Sequence, residues 1–182
     1  NREDEAAIIE HAFGEDYVKP HVPERNGKKV AVVGAGPAGL TAATRLNQKG
    51  YTVTVYDARE DAGGLLRYGI PNFKLIKSII DRRLNLLREE GIIFEFGVKL
   101  VDSKKKSADD KGEIAANIQN DPTLGKDKTV TIDKLSADYD AVVVATGTPT
   151  ARDLKIPGRD LKGVYFALEM LSQQNRKLAG QE

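Results

Sequence analysis

Lys29-Val30-Ala31-Val32-Val33-Gly34-Ala35-Gly36-Pro37-Ala38-Gly39-Leu40 decides how this chain folds. A helix-like segment follows it to Gly50, and then Tyr51-Thr52-Val53-Thr54-Val55-Tyr56-Asp57. The order is strand, glycine turn, helix, strand, acid. Val30 to Val33 has strand length and β-branched content without polar alternation, as in a strand buried on both faces of a parallel sheet. Gly34 permits a sharp exit from the strand. Gly36 lets a diphosphate approach the backbone, and Gly39 lets the helix pack close to the sheet. Pro37 suits a first helical turn, where its missing N–H costs nothing. The helix N-terminus, from Pro37 and Ala38 onward, offers free N–H groups and partial positive charge to phosphates. Asp57 follows the middle glycine by about 20 residues, where an acid accepts hydrogen bonds from ribose hydroxyls. A lone glycine triad is often only a tight turn. Here a strand precedes it, a helix follows, and the acid stands at the right distance, so a dinucleotide site is expected. The pattern itself leaves nicotinamide and flavin dinucleotides both open.

Composition narrows the class. The chain has 182 residues, enough for one domain with a substantial core. Its 28 basic and 27 acidic residues leave a net charge of +1, which argues against a nucleic-acid or membrane-surface binder. No apolar run reaches the length of a membrane span, and the acidic, mixed start is unlike a signal peptide. With no cysteine, these residues supply no disulfide framework, thiolate metal site or iron–sulfur cluster. A cytoplasmic protein is the expectation. The sequence begins without Met and stops in a polar stretch, so a fragment is expected.

Asn1 to Phe13 carries helical spacing in Ala6, Ile9 and Phe13, and reads as a surface helix packed on the main domain. Tyr17 to Asn26, with Pro20 and Pro23, reads as an extended connector. His11 and His21 lack metal-ligand spacing and read as solvated or packing residues. Gly63-Gly64-Leu65-Leu66-Arg67-Tyr68-Gly69-Ile70-Pro71 crowds glycines among apolar residues. Two readings stand: a turn-rich connection, or a backbone lying flat against a ligand with the charge of Arg67 close by. Phe73 to Glu90 is the strongest helix signal, with Leu75, Ile76, Ile79, Ile80, Leu84 and Leu87 on its apolar face and Gly91 as its stop. Ile92 to Phe96 reads as a further parallel strand. Asp102 to Lys128 is polar and turn-rich. It reads as a surface excursion with a weak helix around Glu113 to Gln119, and with Val130 to Ile132 as the returning strand of a hairpin. Ala141-Val142-Val143-Val144 reads as another buried parallel strand. Its exit, Ala145-Thr146-Gly147, falls on the sheet edge where ligands lie. Val164 to Leu178 reads as a helix whose apolar side is Phe166, Ala167, Met170, Leu171 and Leu178.

Taken together, these residues resemble the glutamate synthase small-subunit family. The stretches that carry the likeness are Val30 to Leu40, Gly63 to Pro71, Phe73-Lys74-Leu75, Ala145-Thr146-Gly147, and Ile156-Pro157-Gly158-Arg159 through Gln173-Gln174-Asn175. The reductase domain of dihydropyrimidine dehydrogenase is similar too. The likeness covers nearly the whole chain outside Asp102 to Lys128. It implies an α/β fold: a Rossmann-like parallel sheet with flanking helices, part of a flavoprotein with two dinucleotide-binding domains. Residues 1–26 would be an N-terminal helix and linker. Residues 27–182 would form part of the FAD domain, with 102–128 a surface insertion. In the family, hydride passes from NAD(P)H to FAD, and electrons continue through 4Fe-4S clusters to a large subunit for glutamate synthesis. The nicotinamide domain and the clusters would lie outside this chain.

Carried over by position, Gly34, Ala35, Gly36, Pro37, Ala38 and Gly39 would hold the FAD diphosphate. Asp57 would bind the adenosine ribose, with a shorter arm than the family's usual Glu. Gly64 and Leu65 would lie along the FAD, with Arg67 nearby. Lys74 stands where a relative has a flavin-contacting arginine, which keeps the charge and loses the bidentate fork. Leu100 falls near a backbone contact to the adenine, and Thr146 and Gly147 would close over the cofactor. No side chain reads as a catalytic acid, base, nucleophile or metal ligand, as fits a protein whose cofactor carries the chemistry. Three other readings stay open. One is a related FAD electron-transfer subunit of dihydropyrimidine dehydrogenase, sulfide or ferredoxin reductase type. The others are a plain NAD-binding domain and a non-catalytic nucleotide-binding module.

Overall fold

The computed structural model describes residues 2–102, 128–148 and 151–181. In chain order the elements are α1 (Arg2–Gly14), β1 (Lys29–Val33), α2 (Pro37–Gln48), β2 (Thr52–Asp57), α3 (Leu65–Tyr68), α4 (Lys77–Glu89) and β3 (Ile93–Phe96). They continue with β4 (Val98–Val101), β5 (Lys128–Thr131), α5 (Ile132–Asp138), β6 (Ala141–Val144) and α6 (Ala167–Leu178). Four strands form one parallel sheet in the order β3-β2-β1-β6. Val30 stands between Val53 and Ala141, and Val33 between Tyr56 and Val144. This is the expected Rossmann-like α/β arrangement.

β1 is central and buried on both faces, so its residues feed two cores. Val30 and Val32 pack with Val53, Val55, Ala43 of α2, and Ile80, Leu84 and Leu87 of α4. Ala31 and Val33 point the other way, to Val98, Val130 and Leu135. Each such Val or Leu contributes about 1.5–3 kcal/mol by leaving water. The paired cores fix the height and direction of β1, and so the place where its glycine turn emerges.

Several expectations change. The Ala141–Val144 strand is parallel as expected, yet only half-buried, with Val144 60% exposed. It is the outermost strand of its sheet. The strand at 128–131 is no hairpin return: β5 pairs with β4 in parallel, Leu100 opposite Val130, and Ile132 already opens α5. Thr131 caps α5 by accepting from the Lys134 N–H at 3.1 Å. The helix expected at 113–119 lies outside the described residues.

α4 begins at Lys77 instead of Phe73. The residues after Pro71 turn first, with the Lys74 and Leu75 N–H groups both donating to the Pro71 carbonyl. α6 begins at Ala167 instead of Val164, and its expected apolar side faces outward at Met170 and Leu178. The residues it buries are Asn175 and Arg176. α1 does dock on the domain, through Arg82 of α4. That guanidinium donates to both carboxylate oxygens of Glu10, at 2.8 and 2.6 Å, and lies over the Phe13 ring at 3.8 Å. The connector ends in a pin: Arg25 donates to Asn47 Oδ1 at 2.6 Å, the Tyr51 carbonyl at 2.8 Å and the Glu90 carbonyl at 3.2 Å.

Candidate dinucleotide-binding site

The carboxyl ends of β1, β2 and β6 meet at the glycine turn. The Gly34 N–H donates to the Tyr56 carbonyl at 2.7 Å, and the Ala145 N–H donates to the Val33 carbonyl at 2.8 Å. Gly34 has φ +112°, a conformation a side chain rarely adopts. A Cβ there would lie 2.3 Å from the Ala145 carbonyl oxygen and 3.1 Å from the Thr146 nitrogen. A Cβ on Gly39 would fall 1.8 Å from the Gly34 carbonyl oxygen. Glycine at these two positions is therefore set by close packing of turn, helix and neighbouring strand, as the sequence implied.

Gly36 differs. A Cβ there would meet nothing nearer than the Gly64 Cα at 4.0 Å. The protein leaves that side of the turn open. Gly36 is also the N-cap of α2, and no side chain caps the helix. The first N–H groups of a 12-residue helix thus front an open space beside a residue without a side chain. A diphosphate fits this geometry: it needs close backbone approach and helix N–H donors.

The second glycine loop lies against the first. The Gly63 N–H donates to the Ala35 carbonyl at 2.8 Å. Gly64, with φ +52°, comes so close that a Cβ on it would sit 2.9 Å from the Gly36 Cα. The contact makes the second loop a neighbour of the first, and both readings of Gly63 to Pro71 accommodate it. Leu65 follows and is half exposed beside the crevice.

Asp57 reaches back into the turn. Its Oδ2 accepts from the Ala35 N–H at 2.6 Å and its Oδ1 from the Arg59 N–H at 2.8 Å. The acid therefore holds the turn's shape. Each carboxylate oxygen still has acceptor capacity for a hydroxyl.

The fold thus gathers Gly34 to Gly39, Asp57, Gly64, Leu65 and Thr146 around one crevice, with Gly147 next in chain and exposed. Three other candidates have different surroundings. Arg67 donates from Nε to the Ala62 carbonyl at 2.6 Å and pairs with Asp81 of α4. Lys74 is exposed, its ammonium 5.9 Å from the centre of the Phe73 ring. Leu100 packs in the second core beside Tyr56 and Tyr139. Burial raises the Tyr56 hydroxyl pKa, helped by its 2.9 Å hydrogen bond to Tyr139, so Tyr56 acts as a neutral packing group.

Two open clefts lie elsewhere, bordered by residues of 61–81 and of α6. One of about 480 Å³ is bordered by Arg67, Lys77, Asp81 and Arg176. The other, about 400 Å³, lies between Pro71, Phe73, Leu171 and Leu178. Neither is lined by the glycine turn, whose crevice is a shallow edge of the sheet. Sequence reasoning gave no site role to Lys77 or Asn175, both attached to the second loop. Lys77 looked like one more polar residue on a helix, and Asn175 counted only toward the family likeness.

Residues 28–180 match the family described as pyridine nucleotide-disulphide oxidoreductase. The chain belongs to that family. Within it, the chain is 43% identical over 179 residues to the glutamate synthase [NADPH] small chain of Mycobacterium tuberculosis, covering 98% of this chain and 31% of that protein. It is 42% identical over 169 residues to the Bacillus subtilis small chain, covering 92% of this chain and 29% of that one. Glutamate synthase [NADH] of Schizosaccharomyces pombe is 41% identical over 179 residues, 98% of this chain and 7% of that protein. The chain therefore spans less than a third of each of these relatives. Among solved structures, FprA, a Mycobacterium tuberculosis oxidoreductase also solved with NADPH, superposes with a TM-score of 0.59 and 25% identity. That match covers 81% of this chain and 29% of FprA. This pyridine nucleotide-disulphide oxidoreductase chain contains, among its described residues, no helix long and apolar enough to cross a membrane.

Proposed function

We propose that this chain is the flavin-holding part of an NAD(P)H-dependent flavin oxidoreductase of the glutamate synthase small-chain type. The observation that carries the reading is the open space at Gly36, faced by Gly64 and by the uncapped start of α2. FAD is preferred to a nicotinamide dinucleotide as the occupant because the family resemblance of these residues implies the FAD domain. In this reading the backbone from Gly34 to Gly39 holds the diphosphate, and Asp57 orients the adenosine ribose while bracing Ala35. Gly64 and Leu65 flank the middle of the cofactor, and Thr146 and Gly147 bound it from the β6 side. Arg67 and Lys74 supply positive charge around it, and Leu100 offers a backbone contact to the adenine. Bound FAD supplies hydride acceptance from a reduced nicotinamide and onward electron transfer. The chain's own residues bind, orient and shield it, and none acts as acid, base or nucleophile.

Residues 1–26 serve as a helix and linker, 27–182 as part of the FAD domain, and 102–128 as an insertion within it. The whole protein, in this reading, is cytoplasmic, carries a nicotinamide domain and 4Fe-4S clusters beyond these residues, and passes electrons to a large subunit. The isolated chain should bind FAD and lack turnover. Equilibrium titration with FAD, followed by flavin fluorescence, tests the first point. An NADPH assay with an artificial acceptor tests the second. No binding of FAD or ADP would reject the site, and robust turnover would reject the division of labour. The likeness to FprA favours one further reading, an FAD electron-transfer protein serving a different acceptor.

A further inference from the structure

α3 is a single turn of four residues. N–H groups of the segment it opens, Gly64 to Leu75, satisfy the Gly64, Leu65 and Pro71 carbonyls, and the carbonyls of Leu66, Tyr68, Ile70 and Leu75 take donors from side chains outside it. Lys77 in the first turn of α4 provides three. Its ammonium donates to the carbonyls of Leu66 at 2.9 Å, Ile70 at 2.6 Å and Leu75 at 3.2 Å. An ammonium has three N–H bonds, so these carbonyls use its full capacity. Burial lowers the pKa of Lys77, with a smaller push from the Arg67 charge, as fits an ammonium solvated by carbonyls in place of water.

α6 grips the same segment from another side. Buried Asn175 donates through Nδ2 to the Tyr68 carbonyl at 3.1 Å and the Ile70 carbonyl at 3.0 Å. Ser172 Oγ adds a bond to the Tyr68 carbonyl at 3.3 Å. The Ile70 carbonyl thus accepts from both helices. At its other end the segment presses Gly64 against Gly36.

We infer that Lys77 and Asn175 are positioning residues: together they brace the Gly64–Ile70 segment, and so fix the wall of the dinucleotide crevice beyond the diphosphate. The brace is a property of the fold. Its effect on ligand rests on the FAD reading above. The contact with Gly36 makes the two glycine loops one surface, so slack in the second displaces the part of the site that the first does not reach. In the FAD reading, FAD would extend past the diphosphate along that wall, whereas ADP would stop at the glycine turn.

The test uses this chain with Lys77→Met, which keeps the apolar stem and removes the ammonium. Two readouts are needed. Hydrogen exchange at the Gly69 and Ile70 amides, both bonded to the Leu65 carbonyl at 2.9 Å, reports the brace without ligand. It should quicken by about tenfold or more, the scale set by losing charged hydrogen bonds to buried carbonyls. The dissociation constants of FAD and ADP report the wall. FAD should weaken by about tenfold while ADP stays near its wild-type value. Asn175→Ala should shift both readouts the same way by less. It carries the test if Lys77→Met fails to fold. Unchanged exchange in the folded variants overturns the brace, and equal weakening of FAD and ADP overturns its positioning role. A wild-type chain that binds ADP but not FAD rejects the FAD reading. Exchange alone then decides the brace.

Discussion

The two glycine loops that meet at Gly36 and Gly64 differ in how far side chains from other elements hold them. Gly34 to Gly39 is fixed by main chain: Gly34 is bonded to Tyr56, and Gly39 is packed on the Gly34 carbonyl. One side chain, Asp57, assists. Gly63 to Ile70 has main-chain ties of its own, the Gly63 N–H on the Ala35 carbonyl and the Gly69 and Ile70 N–H groups on the Leu65 carbonyl, but its Leu66, Tyr68 and Ile70 carbonyls are held by side chains from other elements, Lys77 and Asn175. A loop of the first kind is as rigid as the sheet it grows from. A loop of the second kind is only as rigid as the helices that carry its donors. The Gly36 end of the crevice therefore belongs to the core, and the remainder belongs to α4 and α6.

Gly39→Ala should do the most damage. Its Cβ would overlap the Gly34 carbonyl oxygen, and neither turn nor helix can give way without disturbing β1. A loss of about 3 kcal/mol or more is expected in urea denaturation. A variant of wild-type stability would break the contrast, because the main-chain loop would then be as forgiving as the other. Gly64→Ala comes next. Its methyl would meet the Gly36 Cα at 2.9 Å in a φ +52° conformation. A cost of about 1–3 kcal/mol is expected for a side chain held in so sparsely populated a backbone conformation, with a measurable loss of FAD binding by titration.

The same contrast explains what could be read in advance. The strands at 29–33, 52–57 and 93–96 and the glycine turn depend on local signals: β-branched runs, glycine spacing and an acid at a set distance. The β4–β5 pair escaped notice because its partners lie on either side of residues 102–127 and each strand has four residues. α5 is seven residues long, below the length at which helical periodicity stands out. α6 was seen as a helix but with the wrong face inward. Amphipathic logic expects Met170 and Leu178 to be buried. The carbonyls of Tyr68 and Ile70 instead demand a polar residue, Asn175, about a hundred positions away in the chain. No pattern within one helix carries that information. The same holds for Lys77, which looks like any lysine on a solvated face until its three carbonyls are seen.

Gly36→Ala sharpens the comparison from the binding side. The position is extended, with φ −76°, and open. The methyl should cost only about 1 kcal/mol, the scale of losing a favourable N-cap residue. It would nonetheless occupy the space a diphosphate needs, and ADP and FAD affinity should both fall by about tenfold or more, about 1.4 kcal/mol. Calorimetry for stability and fluorescence titration for binding would separate the two effects. Equal binding by Gly36→Ala and wild type would show that no ligand approaches there.

α1 carries side-chain anchoring furthest, because Arg82 of α4 ties it to the domain. Arg82 donates to both oxygens of Glu10 and covers Phe13, while Ile8 and Ile9 stay exposed. The Arg82 hydrogen bonds hold the Glu10 carboxyl below the ordinary glutamate range. A carboxyl whose folded pKa is depressed favours the docked state above that range, and the contribution fades as pH falls through the depressed value. α1 should therefore loosen on acidification while the sheet stays intact. Amide chemical shifts of α1 followed from pH 7 downward would report it. In Glu10→Gln the helix should already be loosened at pH 7 and the acid transition should vanish. The melting temperature should not move measurably, since exposed ion pairs add little to global stability. If α1 in Glu10→Gln keeps its wild-type shifts, the Phe13 contact alone holds it, and an apolar contact would then anchor this helix where charge was credited.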